Sequence, residues 1–166
     1  MNSSEPLPYS DTKPVGAADF YFAINATFRF ILARFGVEGL RRYWRAIGHD
    51  YYAPVSDRWR TGLGAVADYW RAFFAAEPGS EVEVHASADE VRVEVKTCPM
   101  IAHLRAGGRE IVPCFCQHCF FVSDAIGENS GIAVRVSGGN GACVQRFVPR
   151  TLELAPQDFG QIEEAR

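Results

Sequence analysis

Residues 81–96 read E-V-E-V-H-A-S-A-D-E-V-R-V-E-V-K, and this stretch decides the fold class. Before it, apolar residues recur every three or four positions; within it they recur every second position. Strict alternation puts Val82, Val84, Val91, Val93 and Val95 on one face and the charged residues on the other, as in half-buried strands. Ser87-Ala88-Asp89 lies between the two runs as the turn. An antiparallel hairpin with one wet face is therefore predicted. His85 is out of phase with the valines and is expected on the exposed, charged face.

Towards the N-terminus the period is helical. In 17–36 Phe20, Ile24, Phe28, Ile31, Leu32 and Phe35 define an apolar face, and Gly36 suits a C-cap. A second helix follows with Leu40, Tyr43, Trp44 and Ile47 inward, ended by Pro54. Ser56 is read as the N-cap of a third, with Asp57 in its first turn and Trp59, Leu63, Val66 and Trp70 inward. Gly62 and Gly64 weaken that helix by about 1 kcal/mol each, and Pro78-Gly79 stops it.

Towards the C-terminus, Pro99 opens a short helix closed by Gly107-Gly108, and Pro113 opens another running to Gly127. Two β runs, 131–137 and 142–148, are joined by G-G-N-G, a strong turn signal. The prediction is an α+β fold: N-terminal helices packed on an antiparallel sheet of about four strands built from two hairpins. Residues 1–16, with Pro6, Pro8 and Pro14, read as a flexible leader, 17–150 as one domain, and 151–166 as a loosely held tail.

A chain of 166 residues with 48% hydrophobic and 22% charged residues is ordinary globular material for one domain. A net charge of −3 gives no electrostatic case for nucleic acid or an anionic membrane. No signal peptide or membrane-length apolar run is visible, so the expected location is cytoplasmic. There the five cysteines are expected free, metal-bound or catalytic rather than paired as disulfides.

Residues 98–119, C-P-M-I-A-H-L-R-A-G-G-R-E-I-V-P-C-F-C-Q-H-C, hold four of those cysteines, and Cys143 is the fifth. On a regular helix from Pro113, Cys114 and His118 fall within about 40° of each other. They form a candidate nucleophile–base pair on the apolar side, with Cys114 in the first turn, where free N–H groups favour a thiolate. The alternative is that both are core residues. Cys116 and Cys119 form a C-x-x-C on a different side. With Cys98 and Cys143, both at strand ends, they make a candidate four-thiolate zinc site. An iron–sulfur cluster is not expected. P-loop, dinucleotide-binding, nucleophile-elbow and H-E-x-x-H motifs are absent.

The order V-x-x-C-P (Val95, Cys98, Pro99), Gly108, a cysteine-bearing helix, then G-x-x-x-C-x-x-R-F (Gly139, Cys143, Arg146, Phe147) resembles the L-2-amino-thiazoline-4-carboxylic acid hydrolase family of bacterial proteins. The resemblance covers about residues 80–148. It implies a hydrolase opening a small cyclic amidine or thiazoline-type ring at a C–N or C–S bond, with no cofactor required. Cys114 would attack and His118 manage the proton, while Cys98 and Cys143 shape the site and Arg146 holds a substrate carboxylate. The central helix departs from the family pattern: the first acid after its cysteines is Asp124. More remotely, a cysteine closing a Gly-rich hairpin is similar to vinyl-reductase-type ligand-binding domains, which implies a non-catalytic small-molecule-binding or sensor domain with Cys-ligated zinc. The expected partner is a small molecule, with neither nucleic acid nor membrane, and a homodimer is left open.

Overall fold

The computed structural model describes residues 19–152 and 154–166; the expected leader, 1–16, lies outside the described residues. The hairpin forms as predicted. Strands β1 (Glu81–Ala86) and β2 (Val91–Thr97) pair antiparallel, with Val82 opposite Val95 and Val84 opposite Val93. Ser87 holds the turn: its N–H donates to the Glu90 carbonyl at 2.8 Å, and its Oγ accepts from the N–H of Glu90 at 3.1 Å. The second hairpin is β3 (Ile132–Gly139) and β4 (Ala142–Pro149). Its two-residue loop places Asn140 and Gly141 at φ 53° and 110°, the left-handed pair that matches strand twist. β4 pairs with β2, and the sheet order is β1-β2-β4-β3-β5.

The fifth strand was not expected. β5 (Ile162–Glu163) runs parallel to β3 and comes from the segment read as a loose tail. That expectation is corrected, and the hold is largely polar. The Gln157 side-chain amide both accepts from the Val136 N–H and donates to the Val136 carbonyl, each at 2.9 Å. The Ala165 N–H donates to the Pro113 carbonyl at 2.9 Å, and Ile162 and Ala165 are buried. A polar sequence hides such docking because backbone and amide groups make it rather than an apolar stripe.

The N-terminal half is helical. α1 (Asp19–Ala46) is broken at Gly36, whose φ of 67° only glycine adopts without strain, so the predicted boundary is a kink. A π-helical turn, Ile47–Tyr51, leads to α2 (Ala53–Trp59) and α3 (Leu63–Ala75). In that turn Gly48 lies against α5: a Cβ there would sit 2.5 Å from the Val122 carbonyl. Ser56 is not a cap. It is buried inside α2, and its Oγ donates to the Ile126 carbonyl at 3.1 Å. Gly62, at φ 115°, breaks the predicted third helix and starts α3.

Leu40 and Trp44 are fully buried as predicted, but the inner face of early α1 is rotated. Phe20 and Phe35 are 63% and 60% exposed, while Tyr21, Asn25 and Phe28 are buried. Asn25 explains the shift. Its amide donates to the Glu110 carbonyl at 2.9 Å and accepts from the Val112 N–H at 3.2 Å, pinning the loop that enters the cysteine-bearing turn. Apolar periodicity does not register a buried amide.

α4 (Pro99–Ala106) matches expectation. After it a 3-10 turn, Pro113–Cys116, leads into α5 (Gln117–Ser130). α5 packs on β3, and α3 packs on β1, β2 and β4, giving helices on one face of the sheet. Among the described residues no helix is long and apolar enough to cross a membrane.

Candidate functional site: a ring-walled, thiol-floored cavity

A cavity of about 170 Å³ lies between α1, α3, the start of α4, α5 and the inner face of β2 and β4. Its walls are aromatic because α3 places Tyr69, Trp70, Phe73 and Phe74 at i, i+1, i+4 and i+5, which is one helical face. Trp70 stacks on Phe74 with centroids 5.7 Å apart, and Tyr69 on Phe73 at 6.4 Å. The Tyr21 hydroxyl donates to Glu77, tying α1 to the residues after α3 at the cavity wall.

The floor is polar but neutral. Cys98, the residue before α4, donates its N–H to the Gly141 carbonyl at 2.8 Å, which fixes its place beside the second hairpin. Alternation along β4 brings Cys143 and Gln145 to the same face as Phe147. α5 contributes His118, Cys119, Val122, Ser123 and Ile126 at helical spacing. Burial pushes the Cys98 thiol up, against the nearby N–H groups of Ile101 and Met100, and pushes Cys143 up to about 12. Cys119 is raised well above the ordinary thiol value by burial and by its three thiol neighbours, Cys143, Cys98 and Cys116. His118 is lowered to about 4 by burial. At neutral pH these groups are uncharged thiols and a neutral imidazole.

Cys114 and His118 do not form the expected pair. His118 lines the cavity, its ring 5.3 Å from Phe28 and 6.1 Å from Trp44, and its Nδ1 has no hydrogen-bond partner. Cys114 is not among the residues lining that cavity; its charged neighbours are Arg41 and Glu164. The cause is the 3-10 turn. Cys114 has φ −82° and ψ 15°, so the 100° step per residue fails before α5 begins. Nor is its thiol activated: burial raises its pKa, and that effect exceeds the pull of its own backbone N–H and of Arg41. The imidazole shares its cavity with Cys98, Cys119 and Cys143 instead.

Cys98, Cys116, Cys119 and Cys143 are neighbours, as the zinc reading requires, but their spacing does not fit zinc. Tetrahedral Zn–S bonds of about 2.3 Å put sulfurs about 3.8 Å apart. Among the described residues, the only group of three or more metal-ligating side chains whose donor atoms lie within 4.8 Å of one another is Glu83, His85 and Glu94. Cys116 instead accepts the Asn140 N–H at 3.3 Å. Glu83 and His85 are exposed, as expected for His85, Glu94 is half-buried, and both carboxylates are already paired, Glu83 with Lys96 and Glu94 with Arg92.

Arg146 is also misplaced by the expectation that it holds a carboxylate. It is one step out of phase with Cys143 and Gln145, so it lies on the outer face of the sheet, where its Nε donates to Glu90 at 2.8 Å. Gln145 and Tyr69 are among the cavity residues that the sequence reading passed over. Gln145 carries a usable signal, a polar residue in phase with Cys143 and Phe147 on a β run. Tyr69 does so more weakly, as a ring beside Trp70 in the middle of a helix. No protein-family model matches the chain, and no curated protein matches it significantly.

Proposed function

We propose that the protein is a small-molecule-binding domain whose ligand occupies this cavity. The observation that carries the reading is the cavity itself: about 170 Å³, walled by the rings of α3 and floored by Cys98, Cys119, Cys143, His118 and Gln145. Small-molecule sites are mostly apolar concavities with a few convergent polar groups, and an apolar cavity of about 150 Å³ is enough to take benzene. Five free thiols fit a reducing, cytoplasmic setting. Trp70 lines the cavity, so ligand entry should change tryptophan fluorescence. A panel of one- and two-ring compounds should include ligands that shift both this signal and the melting temperature. Phe73→Ala should weaken them at least tenfold; a panel that shifts neither would end the reading.

A second reading, hydrolysis of a thiazoline-type ring, is favoured by one observation: an imidazole and three thiols share the cavity. In it a floor thiol adds to the carbon of the ring C=N bond, its proton passing by way of His118 to the ring nitrogen. The ring C–S bond then breaks, its sulfur leaving protonated as the thiol of the opened product, and water displaces the floor thiol, again protonated, from the resulting isothiourea to leave a urea. Consumption of an uncharged 2-amino-thiazoline, lost in Cys119→Ser and kept in Cys114→Ser, supports this reading. No consumption leaves a binding domain.

A further inference from the structure

The floor carries unpaired polar atoms that a ligand would satisfy. Gln145 is 2% exposed; its Nε2 reaches only the Cys143 sulfur, at 3.9 Å, and its Oε1 has no partner. The His118 Nδ1, likewise buried, has none either. A buried polar atom without a partner is destabilising, and both residues line the same cavity. Among the described residues no lysine or arginine lines that cavity, the imidazole is neutral, and the one carboxylate, Glu77, already accepts from Tyr21. An anionic ligand would find no counter-charge there.

Resting on the binding reading, we propose that the ligand is an uncharged, flat one- or two-ring molecule with a hydrogen-bond donor on its edge. Gln145 Oε1 receives that donor, and His118 Nδ1 meets a second polar edge in the role its tautomer sets. Gln145 is the specificity-determining residue. It selects against pure hydrocarbons, which leave its oxygen unpaired, and the absence of a cation selects against carboxylates.

Calorimetric titration with indole, indene and indole-3-carboxylate tests this. Indole and indene share a shape and differ in one N–H donor. Indole is expected to bind about tenfold more tightly than indene, and indole-3-carboxylate at least about a hundredfold more weakly than indole. Gln145→Met keeps the side-chain length and is expected to abolish the preference for indole while retaining indene binding. In the wild-type protein, the Gln145 side-chain amide resonances should move with indole and stay in place with indene, a readout that survives if the variant fails to fold. Binding of none of the three overturns the cavity reading and this inference together. Equal affinity for indole and indene, a preference that persists in Gln145→Met, or unmoved Gln145 resonances leave the cavity reading intact and overturn the anchor. Carboxylate binding as tight as indole overturns the uncharged ligand.

Discussion

The two faces of the sheet share the same strands and have opposite chemistry. On the inner face Val93, Val95, Cys143, Gln145 and Phe147 meet helices and the cavity, and burial pushes the Cys143 thiol towards its neutral form. On the outer face Glu83, Lys96, Arg92, Glu94, Glu90 and Arg146 form ion pairs in water. One residue of phase separates the two regimes. A side chain's position in the alternation therefore sets its role more firmly than its chemical type does. Arg146 has the right chemistry for a carboxylate and the wrong face; Gln145 beside it has the right face.

The largest expected effect breaks the inner face. Phe147 is fully buried against Trp59 and Trp70, with centroids 5.5 and 5.7 Å away. Phe147→Ala should cost about 3–5 kcal/mol in denaturant unfolding; a cost below about 1 kcal/mol would mean that the inner layer is not packed as described.

The next concerns acid. His118 is held near 4 in the fold and titrates near 6.5 when unfolded, so between those values the unfolded state binds the extra proton. Stability is complete above about pH 6.5 and falls as pH drops towards 4, by on the order of 3 kcal/mol at 1.4 kcal/mol per pH unit. His118→Phe should flatten this window in a melting-temperature series. An unchanged slope would place the titration elsewhere.

The smallest effect lies on the outer face. Arg146→Ala should change stability by less than about 1 kcal/mol, as exposed ion pairs do, and leave ligand affinity untouched. A loss of binding would return this arginine to the site.

How much of this is legible in the sequence follows from how each residue is held. The hairpin 81–96, the Gly36 boundary and the buried Leu40 and Trp44 can be read because simple periods govern them. The phase of early α1 cannot, since the buried Asn25 serves the loop at 110–112 and not a stripe. The site was half legible. The clustering of Cys98, Cys116, Cys119 and Cys143 follows from their places at strand ends, in the 3-10 turn and at the start of the helix it leads into. The separation of Cys114 from His118 does not, because a 3-10 turn is set by tertiary contacts such as that between Ala165 and Pro113. Gln145 was readable in principle, by treating a polar residue in an inward β phase as a signal rather than an exception.

Gln157 has a consequence beyond holding the tail. By accepting from and donating to one residue, Val136, its amide acts as the single peptide unit of a strand that is not there. Together with β5 it occupies hydrogen-bonding positions along the β3 side of the sheet that another chain would need for addition. The opposite margin, β1, is partly covered, Arg71 donating to the Val84 carbonyl at 3.3 Å, and carries Glu81, Glu83 and His85 along it. One margin is blocked by mimicry and the other guarded by charge, so self-templated growth of the sheet is disfavoured from both directions, and only the charged margin loses its guard when carboxylates are protonated.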